Sequence, residues 1–454
     1  MLKKINKVLN DSNFLSLTGN LISAILGAAS FMLLTRTYEK GIFGEWVLFL
    51  TMSTFIEMFR FGLTKTALVR FLSGAEPDEW KRLVGANYVI GIVLTVLIGI
   101  VLYASLWLFY QPIASKGYLL FFLWYPILAL VNLPFNNALT VLQAEDKFME
   151  MLVIRILSGF LFVTILAVNL WAGINLSLQS MVVSYLAINL ITSILVLIKR
   201  WDGLIYLFHS TKASIKLLLE FGKYTTVTMI GSNLLRSADT IIISLSPLGP
   251  TAVALYSIPL KLNEVVQIPL RSFTATAFPR MSKASIQGNK QTVRDIFYHY
   301  AGLLTFMFIP LALGGFIFAE ELVLLLGGNQ YLEPDSRTGA SAVVLFQIFS
   351  LSALLLPIDR LTGVALDAIN KPRKNFYKIL VMVAANVIGD LIAVFYFNSL
   401  VGVAWATILF TFIGVVIGFK YLDDEIGVTF KLIFTKSWKM IISLATGSNP
   451  YWKK

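Results

Sequence analysis

Ten ionisable side chains stand well inside stretches that are otherwise apolar: Glu57, Arg60, Arg236, Asp239, Lys261, Glu264, Arg271, Asp359, Arg360 and Asp390. In such a setting a carboxylate can take up H+ or Na+, and a guanidinium or ammonium can hold phosphate. Exposing one charge to lipid costs ~2.5 to 3.5 kcal/mol. The set would then cost on the order of 25 to 35 kcal/mol, against the ~5 to 15 that holds a domain together. These groups must face an interior cavity or one another. Three pairs have the i, i+3 spacing that puts opposite charges on one helix face: Glu57 with Arg60, Arg236 with Asp239, and Lys261 with Glu264. Mutual neutralisation is enough to explain any single pair, but it explains the set less well, because burying even paired ions is costly beside apolar packing. Arg271 has no acidic residue three or four positions away. It either grips a phosphate with its planar fork or snorkels to the lipid surface.

The elements that must position these charges follow from composition. Hydrophobic residues are 57% and charged residues 14%, far from the balance of a soluble domain. Twelve apolar runs have membrane-spanning length: 14–35, 42–63, 84–109, 118–142, 152–171, 177–198, 224–246, 252–274, 297–319, 340–366, 376–397 and 400–420. They are expected to be helices, because an open sheet cannot satisfy its backbone in lipid and barrel-type alternation is absent. The first run is too long for a signal-peptide core and is read as a retained helix. Most of the 37 Lys and Arg fall in the N-terminal tail, at 64–83, 143–155, 199–223, 275–296 and 367–378, and from Lys420 onward. By the positive-inside rule both termini are cytoplasmic, and the net charge of +12 reflects topology, with no nucleic-acid partner implied. Counted from the run ends, Arg236, Asp239, Lys261 and Glu264 fall near the midplane, while Arg60, Arg271 and Arg360 lie toward the cytoplasm. That distribution describes a polar cavity, cationic on its cytoplasmic side and suited to an anionic substrate.

Other chemistries are excluded or unsupported. No cysteine is available for a disulfide or a thiolate metal site, and two histidines, His209 and His299, are too few for a histidine metal centre or a haem. No G-x-x-x-x-G-K-[ST] loop is present, so ATP is not hydrolysed by this chain. No cofactor is called for beyond a coupling ion, H+ or Na+.

The second half of the chain restates the first. Thr64, Thr66, Ala67 and Arg70 recur as Thr274, Thr276, Ala277 and Arg280, and Trp46 falls on Tyr256. Asn20 and Leu21 recur as Asn233 and Leu234, and Ala144, Asp146 and Lys147 as Ala368, Asn370 and Lys371. Two six-helix lobes related by an internal repeat, with the site between them, are expected. The lobes span 1–198 and 224–422. Residues 199–223 mix Trp201, Leu204, Leu207, Phe208, Ile215 and Leu218 with Lys and Arg and read as an interfacial linker helix, and the cytoplasmic tail 423–454 holds a second amphipathic stretch at 428–445. In the fourth run, Pro126 and Pro134 predict a kink, and Asn132, Asn136 and Asn137 a polar face turned from lipid.

The sequence Leu219-Glu220-Phe221-Gly222, then Ala238-Asp239-Thr240-Ile241-Ile242, Ala254-Leu255-Tyr256-Ser257 and Pro279-Arg280-Met281-Ser282, resembles the second-lobe opening of Wzx-type polysaccharide flippases. Gly44-Glu45-Trp46 and Phe61-Gly62-Leu63-Thr64 with Arg70 are similar to the first-lobe counterpart. These flippases belong to the multidrug/oligosaccharidyl-lipid/polysaccharide exporter superfamily, and the resemblance covers nearly the whole chain. It implies a V-shaped pair of lobes around a central cavity in the bacterial inner membrane. The implied substrate is a polyprenyl-pyrophosphate-linked oligosaccharide, flipped to the periplasmic leaflet for O-antigen, capsule or exopolysaccharide assembly, with a polymerase and chain-length machinery as partners alongside membrane lipids. The cations matching those that line such cavities are Arg60, Arg236, Lys261, Arg271 and Arg360, with Asn233 as a polar neighbour. The carboxylates available for ion coupling are Asp239 and Glu264 first, by depth, then Glu57, Asp359 and Asp390. With twelve apolar runs, the two extra C-terminal helices of the lipid II flippase branch are not expected, which counts against that branch. A drug exporter of the same superfamily remains an alternative, although five cations in the cavity argue against it. A membrane-embedded polymerase or acyltransferase and a non-transporting scaffold fit less well.

Overall fold

The computed structural model describes residues 12–72 and 75–435, with side-chain detail excluding 12–18, Asn20 and 224–236. Asn233, Arg236 and the part of the expected tail helix beyond residue 435 therefore lie outside the described residues. No strand forms among the described residues. The helices are α1 (Ser12–Thr37), α2 (Lys40–Gly62), α3 (Lys65–Leu72), α4 (Pro77–Leu108), α5 (Tyr110–Ser115), α6 (Leu119–Val131), α7 (Leu133–Ala144), α8 (Phe148–Trp171) and α9 (Leu178–Ile198). They continue with α10 (Lys212–Leu245), α11 (Gly249–Val266), α12 (Ile268–Ile286), α13 (Lys290–Ile317), α14 (Ala319–Gly327), α15 (Ala342–Ser352), α16 (Leu356–Ala368), α17 (Pro372–Leu391) and α18 (Leu400–Ile426). A helix or a broken pair of helices occupies each of the twelve apolar runs. Among the described residues, seven helices are long and apolar enough to cross a membrane, nine if each bent pair is one span. The chain is a multi-pass membrane protein.

The breaks have local causes. α6 and α7 meet at 49°, and α15 and α16 at 46°. Pro134 and Pro357 stand in the first turn of α7 and α16, where a missing N–H is tolerated at a helix start but cannot continue the preceding ladder. At the first break the Val131 carbonyl accepts a hydrogen bond from Ser193 Oγ at 2.6 Å. Conversely, the stretch 212–223 holds Ala, Leu, Lys and Glu with a single glycine, so α10 runs unbroken from Lys212 through it. Only the first half of the stretch expected as a linker is loop, ending in a 3-10 turn at Leu204–His209 that packs on α4.

The two bends fall at matching places in the two halves, and so do two left-handed turns. Asp146 after α7 has φ +55°, and Asn370 after α16 has φ +61°. The amide of Lys147 donates to the Leu142 carbonyl at 2.9 Å and that of Lys371 to Leu366 at 2.8 Å, closing the same helix stop. Asp and Asn are the residues other than glycine that most readily take this conformation.

The chain divides into two compact units, one formed by residues up to Ser237 with Gly249–Ala254, the other by Ala238–Leu248 with Leu255 onward. In the first, α1 packs on α8, α6 on α2 and α4, and α3 on α7. Its aromatic centre stacks Trp46 on Phe162 at 5.8 Å with Tyr185 edge-on to Trp46 at 5.6 Å. In the second, α17 and α16 pack on α18, and α12 and α15 on α13, around Phe297, Leu304, Phe308, Leu361 and Leu422.

Candidate functional site

In the first unit, α2 presents Glu57 and Arg60 one turn apart. Arg60 Nη1 lies 3.1 Å from Glu57 Oε1, with the arginine side chain 0% exposed and the glutamate 23%. Tyr125 of α6 donates its hydroxyl to Oε1 at 3.0 Å, and Asn136 of α7 donates its amide to Oε2 at 3.0 Å. The guanidinium also lies 4.5 Å from the Phe61 ring centroid. Three helices thus converge on one carboxylate. Arg60, expected on a cavity wall, is instead sealed behind Glu57, because its stem packs inward and its charge is matched there. Glu57 is the member of the pair that reaches the surroundings.

In the second unit, Asp239 of α10 and Asp390 of α17 are both buried and are bridged by a single amide. Asn386, one turn before Asp390, donates to Asp239 Oδ1 and Asp390 Oδ2, each at 3.1 Å. Tyr256 of α11 donates to Asp239 Oδ2 at 2.7 Å. Asp390 Oδ1 and Asn386 Oδ1 are buried, and neither accepts a hydrogen bond among the described residues. Carboxyl groups bridged by one amide are close enough for a shared proton or a bound cation to ease their repulsion. The unsatisfied carboxylate and amide oxygens are the donor type that a small hard cation takes.

A second buried ion pair ties α16 to α17. Lys378 Nζ is 2.7 Å from Asp359 Oδ1, with the two side chains 3% and 9% exposed, and it also donates to the Asp359 carbonyl at 2.6 Å and to Thr362 Oγ1 at 3.2 Å. α18 covers this cluster through Gly414 and Gly418, where any Cβ would overlap Asp359 or Thr362. Lys378, Met382, Asn386 and Asp390 all fall on one buried stripe of α17.

The remaining charges are not sealed. Lys261 and Glu264 pair at 3.0 Å but are 31% and 44% exposed, and Arg271 and Arg360 are exposed. Of the charges expected to face a cavity or one another, Glu57 with Arg60 and Lys261 with Glu264 do face one another, and Arg60, Asp239, Asp359 and Asp390 are buried. Depth counted along a run says nothing about direction round the helix. Asp359 and Arg360 are adjacent in sequence but about 100° apart on α16, so one points into the bundle and the other out.

The sequence signature of the polysaccharide biosynthesis protein family matches residues 10–285, more than half of the chain. The chain belongs to this family. A second signature, MatE, matches residues 225–392. A relative from Haloferax volcanii, described as "Probable low-salt glycan biosynthesis flippase Agl15", is 23% identical over 214 residues, which are 47% of this chain and 43% of the relative. A multidrug resistance MATE family transporter of the MOP superfamily, in its inward-facing conformation, superposes with a TM-score of 0.71 at 14% identity, over 94% of this chain and 96% of that one. The lipid II flippase MurJ, in an inward closed conformation, gives 0.72 at 16% identity, over 97% and 94%. This member of the polysaccharide biosynthesis family therefore has the fold of those transporters.

Several functional candidates in this family member escape a linear reading. Lys378 counts with the loop cations of 367–378, yet α17 begins at Pro372 and carries it inside. Tyr125 and Tyr256 look like ordinary apolar-run aromatics until their hydroxyls are seen on carboxylates. Asn386 had a usable signal, its i, i+4 spacing to Asp390 on one helix face.

Proposed function

We propose that this chain flips a lipid-linked oligosaccharide, the polyprenyl-pyrophosphate-bound repeat unit of a surface polysaccharide, from the cytoplasmic to the outer leaflet of a bacterial inner membrane. Membership of the polysaccharide biosynthesis family and the transporter fold support the reading. The Lys- and Arg-rich loops argue for cytoplasmic termini. The observation that carries the mechanism is the buried Asp239–Asp390 pair with its unsatisfied oxygens. Taking up H+ or Na+ there removes a net negative charge from the middle of the second unit, and release restores it. That gives a gradient something to act on, with Glu57 as a second and more accessible carboxylate. Its partners in the pathway would be a polymerase and chain-length machinery.

The test uses proteoliposomes loaded with a sugar-labelled polyprenyl-pyrophosphate oligosaccharide, whose outward appearance is read by an impermeant glycosidase with and without an imposed Na+ or proton gradient. Wild type is expected to respond to one of the two gradients. Asp390→Asn and Asp239→Asn should lose that response while retaining slow downhill movement. An unchanged gradient response in both variants would exclude the carboxyl pair as the coupling site. The MatE signature over the second half favours one other reading, an ion-coupled drug exporter. Gradient-driven efflux of ethidium without movement of the oligosaccharide would support it.

A further inference from the structure

The repeated segment that ends in arginine takes no part in the site described above. Thr64, Thr66, Ala67 and Arg70 recur as Thr274, Thr276, Ala277 and Arg280, and the structure repeats their surroundings as well. Ala67 and Ala277 are fully buried, while Thr66, Thr276, Arg70 and Arg280 are exposed. Each arginine therefore stands three residues beyond the alanine that anchors its helix, on the outward side of α3 or α12.

In each unit an aromatic ring from another helix lies beside the guanidinium. Arg70 Cζ is 4.9 Å from the ring centroid of Phe221 on α10, and Arg280 Cζ is 5.9 Å from that of Tyr300 on α13. The rings are themselves held, Phe221 edge-on against Phe71 at 5.5 Å and Tyr300 against Phe273 at 6.3 Å. A ring beside a guanidinium attracts its charge without taking a hydrogen-bond acceptor's place, so the N–H donors stay available. Among the described residues neither guanidinium donates a hydrogen bond or meets a carboxylate. Glu220, next in sequence to Phe221, is engaged by Lys216 at 3.7 Å.

We propose that Arg70 and Arg280 form a repeat-related pair of phosphate sites, one in each unit, each offering a pre-ordered guanidinium edge to two phosphate oxygens. A planar fork steadied by a ring loses little freedom on binding and fits the tetrahedral oxygens two at a time. Both arginines lie in the cation-rich segments 64–83 and 275–296, at the membrane face where phosphate is offered from two sources, an anionic lipid headgroup and the pyrophosphate of a lipid-linked sugar. An arginine retained only for its positive charge would be served equally by lysine, and that difference makes the idea testable.

The full-length protein in detergent is measured with two probes, geranylgeranyl pyrophosphate by thermophoresis and phosphatidylglycerol by native mass spectrometry of lipid adducts. The double variant Arg70→Lys with Arg280→Lys keeps both charges and, since both side chains are exposed, should keep the wild-type melting temperature. It is expected to bind at least one probe about tenfold or more weakly, the loss of charge-assisted bidentate contacts. Single variants read the two units separately. Loss confined to the pyrophosphate probe assigns the sites to substrate; loss of phosphatidylglycerol, alone or with the other, assigns them to the headgroup. Binding of both probes within about twofold of wild type, in this variant and in Arg70→Ala with Arg280→Ala, overturns the proposal. The transport reading would survive that result, because it is decided by gradient dependence at Asp239 and Asp390.

Discussion

Lys378→Met removes the counter-charge of Asp359 while keeping most of the side-chain volume. The ammonium makes three contacts within 3.2 Å, to the Asp359 carboxylate, the Asp359 carbonyl and Thr362 Oγ1, in a site where both charged side chains are under 10% exposed. Asp359 Oδ1 accepts no other hydrogen bond among the described residues, so the substitution strands a buried carboxylate with nothing to replace the lysine. Breaking a buried pair from one side costs about 3 to 5 kcal/mol, a large part of the ~5 to 15 kcal/mol available. Removing both charges is a different perturbation. Lys378→Met with Asp359→Asn leaves no stranded ion and should recover most of the loss. The four proteins of this cycle are compared by equilibrium unfolding in mixed detergent and dodecyl sulfate micelles, followed by tryptophan fluorescence. A coupling of about 2 kcal/mol or more is expected. A single variant costing under ~1 kcal/mol, or a double variant as unstable as the sum of the singles, would refute the buried pair.

Two further outcomes follow from the geometry. Gly222 on α10 faces the Leu63 carbonyl at the end of α2 so closely that a Cβ would overlap it; Gly222→Ala should therefore cost about 1 to 3 kcal/mol in thermal unfolding, whereas Gly314→Ala, with nothing within reach of its Cβ, should be neutral or stabilising by up to ~1 kcal/mol. In the loop before α10, burial holds the Asp202 carboxyl above the ordinary aspartate range, and the 2.5 Å hydrogen bond from Tyr88 Oη pulls it part of the way back. The folded state then keeps this proton to higher pH than the unfolded chain does. Stability attributable to Asp202 falls as pH rises from about 3.9 through the raised folded value and is level above it. Asp202→Asn should thus gain melting temperature relative to wild type across that window, and a pH-independent difference would count against the assignment.

Hydropathy alone settles that this chain is helical and crosses a membrane many times, because insertion is decided segment by segment and every backbone group must be satisfied within its own helix. The repeat was equally legible: Asp146 and Asn370, matched by numbering, share a left-handed turn that their short polar side chains tolerate. Pairs closed within one turn, Glu57 with Arg60 and Lys261 with Glu264, could be read from i, i+3 spacing because a single helix fixes their geometry. The rest required the tertiary structure. Asp239 meets Asn386 from 147 residues away, Lys378 turns inward to Asp359, and Arg360 turns out beside it. Those outcomes depend on how each helix is rotated about its axis and on where it starts and breaks. Hydropathy measures how deep a residue lies and carries little information about which neighbour it faces, so the carboxylates could be named from the sequence but their partners could not.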